Sequence, residues 1–170
     1  MKKKSAKKPA DDALVLEVKR FFEGVSLPEY ALASDVGIDL RAYESATLHP
    51  LEQKAVRTGI AIKIPEGHVG LIRDRAGIVS KMNVHTAAGT FDPAFRGEVS
   101  VMLINFSDDS VLIEKGMRIA QLVIIPVTKV EIKEVKKLDI TERYDKSFGS
   151  TGMKEIVRME KQMRLGEEEL

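Results

Sequence analysis

The feature that most restricts this chain is its punctuation: across residues 13–132, short apolar segments rich in β-branched side chains are interrupted every few positions by Gly, Pro, Asn or Asp. A helical bundle needs apolar residues at three- and four-residue spacing over ten or more positions. Short runs bounded by turn formers are instead the pattern of strands. Strands are expected at 13–18, 54–64, 69–72, 99–105, 111–113 and 119–127. The last is nearly continuous Ile, Leu and Val, the composition of a buried strand. One helix fits inside this body, over residues 76–82, where Gly77 is the only breaker and no proline intervenes. The expected class is all-β with one short internal helix.

A chain of 170 residues has room for one domain of ordinary size. No stretch approaches the roughly 20 apolar residues that span a bilayer, so no membrane partner is expected. Cysteine is absent, which excludes a disulfide framework, a thiol nucleophile and a thiolate metal site, and points to a cytoplasmic address. Only His49, His68 and His85 are available to a zinc site. The chemistry therefore falls to Asp, Glu, Arg, Lys and hydroxyls.

Charge and polarity divide the chain further. Five lysines precede Pro9, and taking them from the formal +1 leaves −4 for residues 9–170. Residues 1–12 thus read as a disordered, solvated basic tail with no specific nucleic-acid partner. Residues 13–138 form the folded domain, and the polar, glycine-containing segment 139–152 forms a mobile arm. Residues 153–170 place Ile156, Met159 or Glu160, and Met163 at helical spacing, with Gly166 as a stop. A C-terminal amphipathic helix is expected there.

Three segments could carry chemistry. In Asp35-Val36-Gly37-Ile38-Asp39-Leu40, an extended backbone puts residues 35, 37 and 39 on one face, leaving Val36, Ile38 and Leu40 to anchor the core. The two acids either hold a metal's water shell or mark a strand start. Arg73 and Arg75 stand where a strand gives way to the helix, either beside an anion site at a helix N-terminus or paired with Asp74 and nearby acids. The stretch Gly89–Glu98 alternates like a hairpin. Within it Asp92, between Phe91 and Pro93, is either a partly desolvated base or the start of a turn.

Read in order, ASDVGIDLRA, RAG, GTFDPAFRGE, GMRIAQLVI and FGSTG resemble the five motifs of the trimeric dUTPase family, over residues 13–152. Asp92 follows Arg75 by 17 positions, the family's spacing between its second and third motifs. The resemblance implies a jelly-roll-like β-barrel, a homotrimer with active sites shared at its interfaces, and Mg²⁺-dependent hydrolysis of dUTP to dUMP and pyrophosphate. By position it implies that Asp92 activates the attacking water and that Asp39 lies near the metal, through water. Arg75 and Gln121 would bind phosphate oxygens, with Ala76 and Gly77 beside them. Ala88, Gly89, Thr90 and Phe91 would read the base edge, and Phe95 would pack on the deoxyribose. On the arm, Arg143, Ser150 and Thr151 would hold the γ-phosphate end, and Phe148, followed by Gly149, would stack on uracil.

The chain departs from that pattern at three places. Asp74-Arg75-Ala76-Gly77 stands where Pro-Arg-Ser-Gly is usual, removing a hydroxyl and adding an acid. Phe95 replaces a tyrosine, and the arm at Arg143–Gly149 carries Tyr144, Lys146 and Ser147 in place of glycines. Two alternatives follow: a dCTP deaminase of the same superfamily, against which Met102 stands where a glutamate is expected, and a non-catalytic nucleotide-binding or regulatory protein.

Overall fold

The computed structural model describes residues 14–141, and the basic tail, most of the arm and the C-terminal helix expected from the sequence lie outside them. The chain divides into two units, residues 1–129 and 130–170. Among the described residues the first holds ten strands and one helix: β1 (Glu17–Arg20), β2 (Ile38–Arg41), β3 (Ala46–Leu48), β4 (Gln53–Lys63), β5 (His68–Arg73), α1 (Ala76–Met82), β6 (Val84–Thr86), β7 (Thr90–Phe91), β8 (Glu98–Asn105), β9 (Val111–Ile113) and β10 (Arg118–Pro126). Residues 130–141 of the second unit contain no helix or strand. No helix among the described residues is long and apolar enough to cross a membrane.

The strands pair antiparallel into two four-stranded sheets, β1-β4-β8-β6 and β2-β10-β5-β7, with β3-β9 as a separate ribbon. β8 shows why: Val99, Val101, Leu103 and Asn105 are buried while Glu98, Ser100, Met102 and Ile104 are only partly covered, the period of two of a one-sided strand. Val56, Ile62, Val101 and Leu103 from one sheet share a core with Leu40, Ile72, Ile119 and Leu122 from the other, closed by Leu48 and Ile113 of the ribbon. Burying a side chain of this size contributes about 1.5–3 kcal/mol. Asn105, fully buried, donates from Nδ2 to the carbonyls of Leu48 (3.1 Å) and Asp109 (2.7 Å) and accepts from Ser107 N (2.9 Å). The fold is all-β, of jelly-roll type, with one short helix, as the sequence implies.

Three expectations are corrected. The first strand runs over Glu17–Arg20, leaving Leu14 and Val15 exposed before it. β10 is buried only in its first half: Ile125 is 39% exposed, because an antiparallel strand covered on one face needs no core beyond the reach of the facing sheet. Gly89–Glu98 is not a hairpin. β7 joins β5 in one sheet and β8 joins β4 and β6 in the other, so residues 92–97 cross between sheets.

Candidate active site

The register of the second sheet assembles one end of the site. Gln121 on β10 pairs with Asp39 of β2 on one side and with Arg73 of β5 on the other. Asp39 is buried, with its side chain 5% exposed, and two guanidiniums reach it. Arg75 Nε donates to Oδ1 at 2.7 Å and Nη2 to Oδ2 at 3.4 Å. Arg118 Nε lies 3.2 Å from Oδ2. Only the carboxylate is buried; the Arg75 and Arg118 side chains are 28% and 37% exposed, so either cation alone can keep Asp39 paired.

The turn that carries Arg75 is tied at its base by Asp74. Asp74 Oδ1 accepts from Thr86 N (2.7 Å) and Thr86 Oγ1 (2.6 Å), and Oδ2 lies 2.9 Å from His85 Nδ1. Its carbonyl accepts from Gln121 Nε2 at 2.8 Å. Partial burial pushes the Asp74 carboxyl up, but the hydrogen bonds from Thr86 and the His85 ring outweigh it and hold the group below its usual 3.8. Beyond the turn Arg75 is the N-cap of α1, with extended φ −96° and ψ 124°; no side chain caps the helix and no acid stands in its first turn. Ala76 and Gly77 are exposed at that end.

An open cleft of about 400 Å³ lies over this end of the sheet, lined by Val36, Arg73, Asp74, Thr86, Gln121 and Val123. Arg73 is exposed and makes no ion pair among the described residues. Gly37 opens the floor: a Cβ there would stand 2.0 Å from Gln121 Oε1. Of the two alternatives for Arg73 and Arg75, pairing with the adjacent Asp74 does not form. Arg75 goes to Asp39, and Asp74 turns to β6. The shared face for residues 35, 37 and 39 also fails, since β2 begins at Ile38. Asp35 instead closes a turn, accepting from Leu32 N at 2.8 Å, and Val36 is 77% exposed, not an anchor.

The other half of the expected site sits elsewhere on the sheet. Thr90 and Phe91 pair with Leu71 and Gly70, and Gly89 is fixed by close approach, because a Cβ on it would lie 2.3 Å from Ile72 Cβ. Ala88 and Thr90 are exposed, and Phe91 meets Phe95 edge-on with centroids 5.2 Å apart. Asp92 starts a turn, its carbonyl accepting from Phe95 N at 3.1 Å, and its side chain is exposed. Of the two alternatives for Asp92, the turn start is what forms, and Phe91 and Pro93 do not bury it among the described residues. Asp92 follows the residue paired with Gly70, which puts it about 13 Å along the sheet from the level of Arg73 and about 14 Å across it from Asp39. One chain brings Asp39, Arg75 and Gln121 together and leaves Asp92 and Phe95 apart from them. Arg143, Phe148, Gly149, Ser150 and Thr151 lie outside the described residues.

The sequence reading missed three participants. Arg118 lies in GMRIAQL, three positions before Gln121, and its spacing was the available signal. Thr86 and His85 gave none, because a three-residue strand is too short to show which side chain meets a distant turn. As for a metal, no three His, Cys, Asp or Glu side chains converge among the described residues, and Asp39 is already engaged by two cations. This donor set does not fit a protein-held ion. It fits one carried on a ligand's phosphates and reached from Asp39 through water.

Fold and site together define a class: an all-β jelly-roll protein with a cation-bearing cleft built from the ends of three strands and a helix-start turn. The family pattern described as dUTPase matches residues 23–152. A deoxyuridine 5'-triphosphate nucleotidohydrolase of Hydrogenobaculum sp. is 49% identical over 142 residues, covering 82% of this chain and 99% of the relative. One from Clostridium kluyveri is 42% identical, covering 81% and 97%. Among solved structures, the Staphylococcus bacteriophage 80alpha dUTPase with dUPNHPP superposes with a TM-score of 0.77 at 32% identity, over 82% of this chain and 99% of that one. The chain belongs to the dUTPase family.

Proposed function

We propose that this protein hydrolyses dUTP to dUMP and pyrophosphate in the cytoplasm, by attack of water at the α-phosphorus, in a homotrimer whose active sites are shared between subunits. The observation that carries the reading is the register that sets Asp39 beside Gln121 and brings Arg75 onto Asp39, next to the cleft that Gln121 and Arg73 line, in a chain whose relatives are named for this hydrolysis.

Asp92 takes the proton as the water oxygen bonds to the α-phosphorus, and the bond from that phosphorus to the bridging oxygen breaks, leaving pyrophosphate. Arg75 and Gln121, with the backbone of Ala76 and Gly77, hold phosphate oxygens and spread the developing charge. Mg²⁺ brought in with the substrate would supply neutralisation of the phosphates' charge, and Asp39 would hold its water shell. A substrate phosphate draws Arg75 away from Asp39, exchanging one anion for another at the same guanidinium, while Arg118 keeps the carboxylate paired. Ala88, Gly89, Thr90 and Phe91 read the base edge and Phe95 packs on the deoxyribose. On the arm, Phe148 and Gly149 cover the base, and Arg143, Ser150 and Thr151 close over the terminal phosphate.

The separation of Asp92 and Asp39 within one chain supports a site shared between subunits, because groups that act on one phosphorus must converge on it. Apolar exposure also supports assembly. Val130, Ile132, Leu138 and Ile140 are 77%, 94%, 78% and 73% exposed, a density of uncovered side chains that favours burial against another copy. The deciding experiment incubates the purified protein with dUTP and Mg²⁺ and follows its products. Release of dUMP and pyrophosphate in equal amounts is expected; release of ammonia identifies a deaminase, and binding without product identifies a regulatory protein.

A further inference from the structure

We propose that Asp74 is a positioning residue for phosphate binding: its carboxylate, clamped to Thr86 and His85, and its carbonyl, holding Gln121, set the turn from which Arg75 is presented. Taking the cleft as the phosphate site, the inference rests on the reading above.

The residue has an unusual place in the topology. Asp74 directly follows β5, which belongs to the β2-β10-β5-β7 sheet, whereas Thr86 and His85 lie on β6 of the other sheet. The three contacts to its carboxylate, at 2.7, 2.6 and 2.9 Å, therefore fasten one sheet to the other at a single point. They also close, at its base, the twelve-residue excursion that carries Arg75, Ala76, Gly77 and α1. The fourth contact runs the other way, from Gln121 Nε2 on β10 to the Asp74 carbonyl at 2.8 Å. One residue thus governs both phosphate-binding side chains, Arg75 through the exit direction of the backbone and Gln121 through its amide.

The chemistry suits that role. Charge-assisted hydrogen bonds to a backbone N–H and a hydroxyl are directional and short, so the carboxylate fixes a position instead of merely filling space. The bonds hold the Asp74 carboxyl below its usual value, which keeps it an acceptor at neutral pH. Asp74 faces His85 and Thr86 from β6, while the neighbouring cations Arg73 and Arg75 are respectively exposed and committed to Asp39. An acid next to a phosphate-binding arginine would ordinarily compete with the ligand. Here both carboxylate oxygens are engaged by Thr86 and His85, which leaves Arg75 to Asp39 and to the ligand.

The test separates positioning from general support by asking which ligand is lost. Calorimetric titration with inorganic pyrophosphate and, separately, with deoxyuridine is compared in wild type, Asp74→Ala, Asp74→Asn and Thr86→Val, and needs no turnover. Asp74→Ala is expected to weaken pyrophosphate binding about tenfold and leave deoxyuridine within about twofold. Asp74→Asn keeps an oxygen for Thr86 and should recover most of that loss, and Thr86→Val should show a smaller loss, about threefold. If Asp74→Ala is insoluble, Thr86→Val carries the same comparison. Equal loss of both ligands, or unchanged pyrophosphate affinity, overturns the proposal. Wild-type protein that binds pyrophosphate but releases none from dUTP would overturn the hydrolytic reading alone.

Discussion

Gly37 and Gly89 are each held to glycine by a neighbour, but the neighbours differ in how far they can yield. A Cβ at Gly37 would meet Gln121 Oε1 at 2.0 Å, the free end of a flexible side chain. Gly37→Ala should therefore leave stability within about 1 kcal/mol while displacing the carboxamide from the Asp74 carbonyl, raising KM for dUTP several-fold. At Gly89 the obstacle is Ile72, 6% exposed, with Cβ at 2.3 Å and Cγ1 at 2.5 Å. Gly89→Ala should cost about 1–3 kcal/mol or more, read as a fall of several degrees in the thermal midpoint. Asp92→Asn, at an exposed turn, should leave that midpoint unchanged and cut kcat by about 10²-fold or more, as loss of a general base does. Asp74 adds a pH signature. Its folded pKa lies below the usual 3.8, so its contribution to stability is complete above that value and is lost as pH falls through the folded one. Thermal midpoints measured down to about pH 2.5 should fall more steeply in wild type than in Asp74→Asn.

Among the elements, α1 depends most on its surroundings. At seven residues it is shorter than an isolated helix can sustain, and burial of Ile78 and a left-handed C-cap hold it. Asn83, at φ 51°, donates its N–H to Val79 O at 3.0 Å and its Nδ2 to Phe106 O at 2.9 Å. Asn83→Ala should cost about 2 kcal/mol, from the left-handed backbone and the lost side-chain bond. Asn83→Gly, which keeps the backbone, should cost about half that, measured as urea midpoints at constant slope. The helix itself was legible, because a proline-free run with one glycine stood between turn formers. So was β8, whose alternation is strict. β3, β6 and β7 were not, since two or three residues carry no period. The apparent hairpin around Asp92 was misread because alternation reports which face is buried and says nothing about which sheet a strand joins.

At the scale of the whole molecule, the proposed sharing of active sites between subunits can be tested directly. If Asp92 of one subunit serves the cleft of another, two inactive variants should rescue each other. Co-expressed Asp92→Asn and Arg75→Ala chains should form mixed trimers in which about a quarter of the sites draw a native Asp92 and a native Arg75, the product of two one-half chances. Activity near a quarter of wild type, with each variant alone inactive, would demonstrate sharing. Activity at background would place both residues in one chain's site. Light scattering at micromolar concentration should give three times the mass of the 18.9 kDa chain.

The sequence by itself determined the all-β class, the place of the helix at Ala76–Met82 and the identities of the residues on which chemistry can rest, because these depend on local pattern and on which side chains exist. It carried the family likeness through short segments whose order survives without any three-dimensional knowledge. Tertiary structure alone decided the partners. Arg75 meets Asp39 and not the adjacent Asp74 because strand register, not chain proximity, sets which side chains face each other. Asp74 meets Thr86 because two sheets pack at that point. Asp92 is exposed, despite apolar neighbours in the chain, because burial is conferred by whatever packs on top, and among the described residues nothing does.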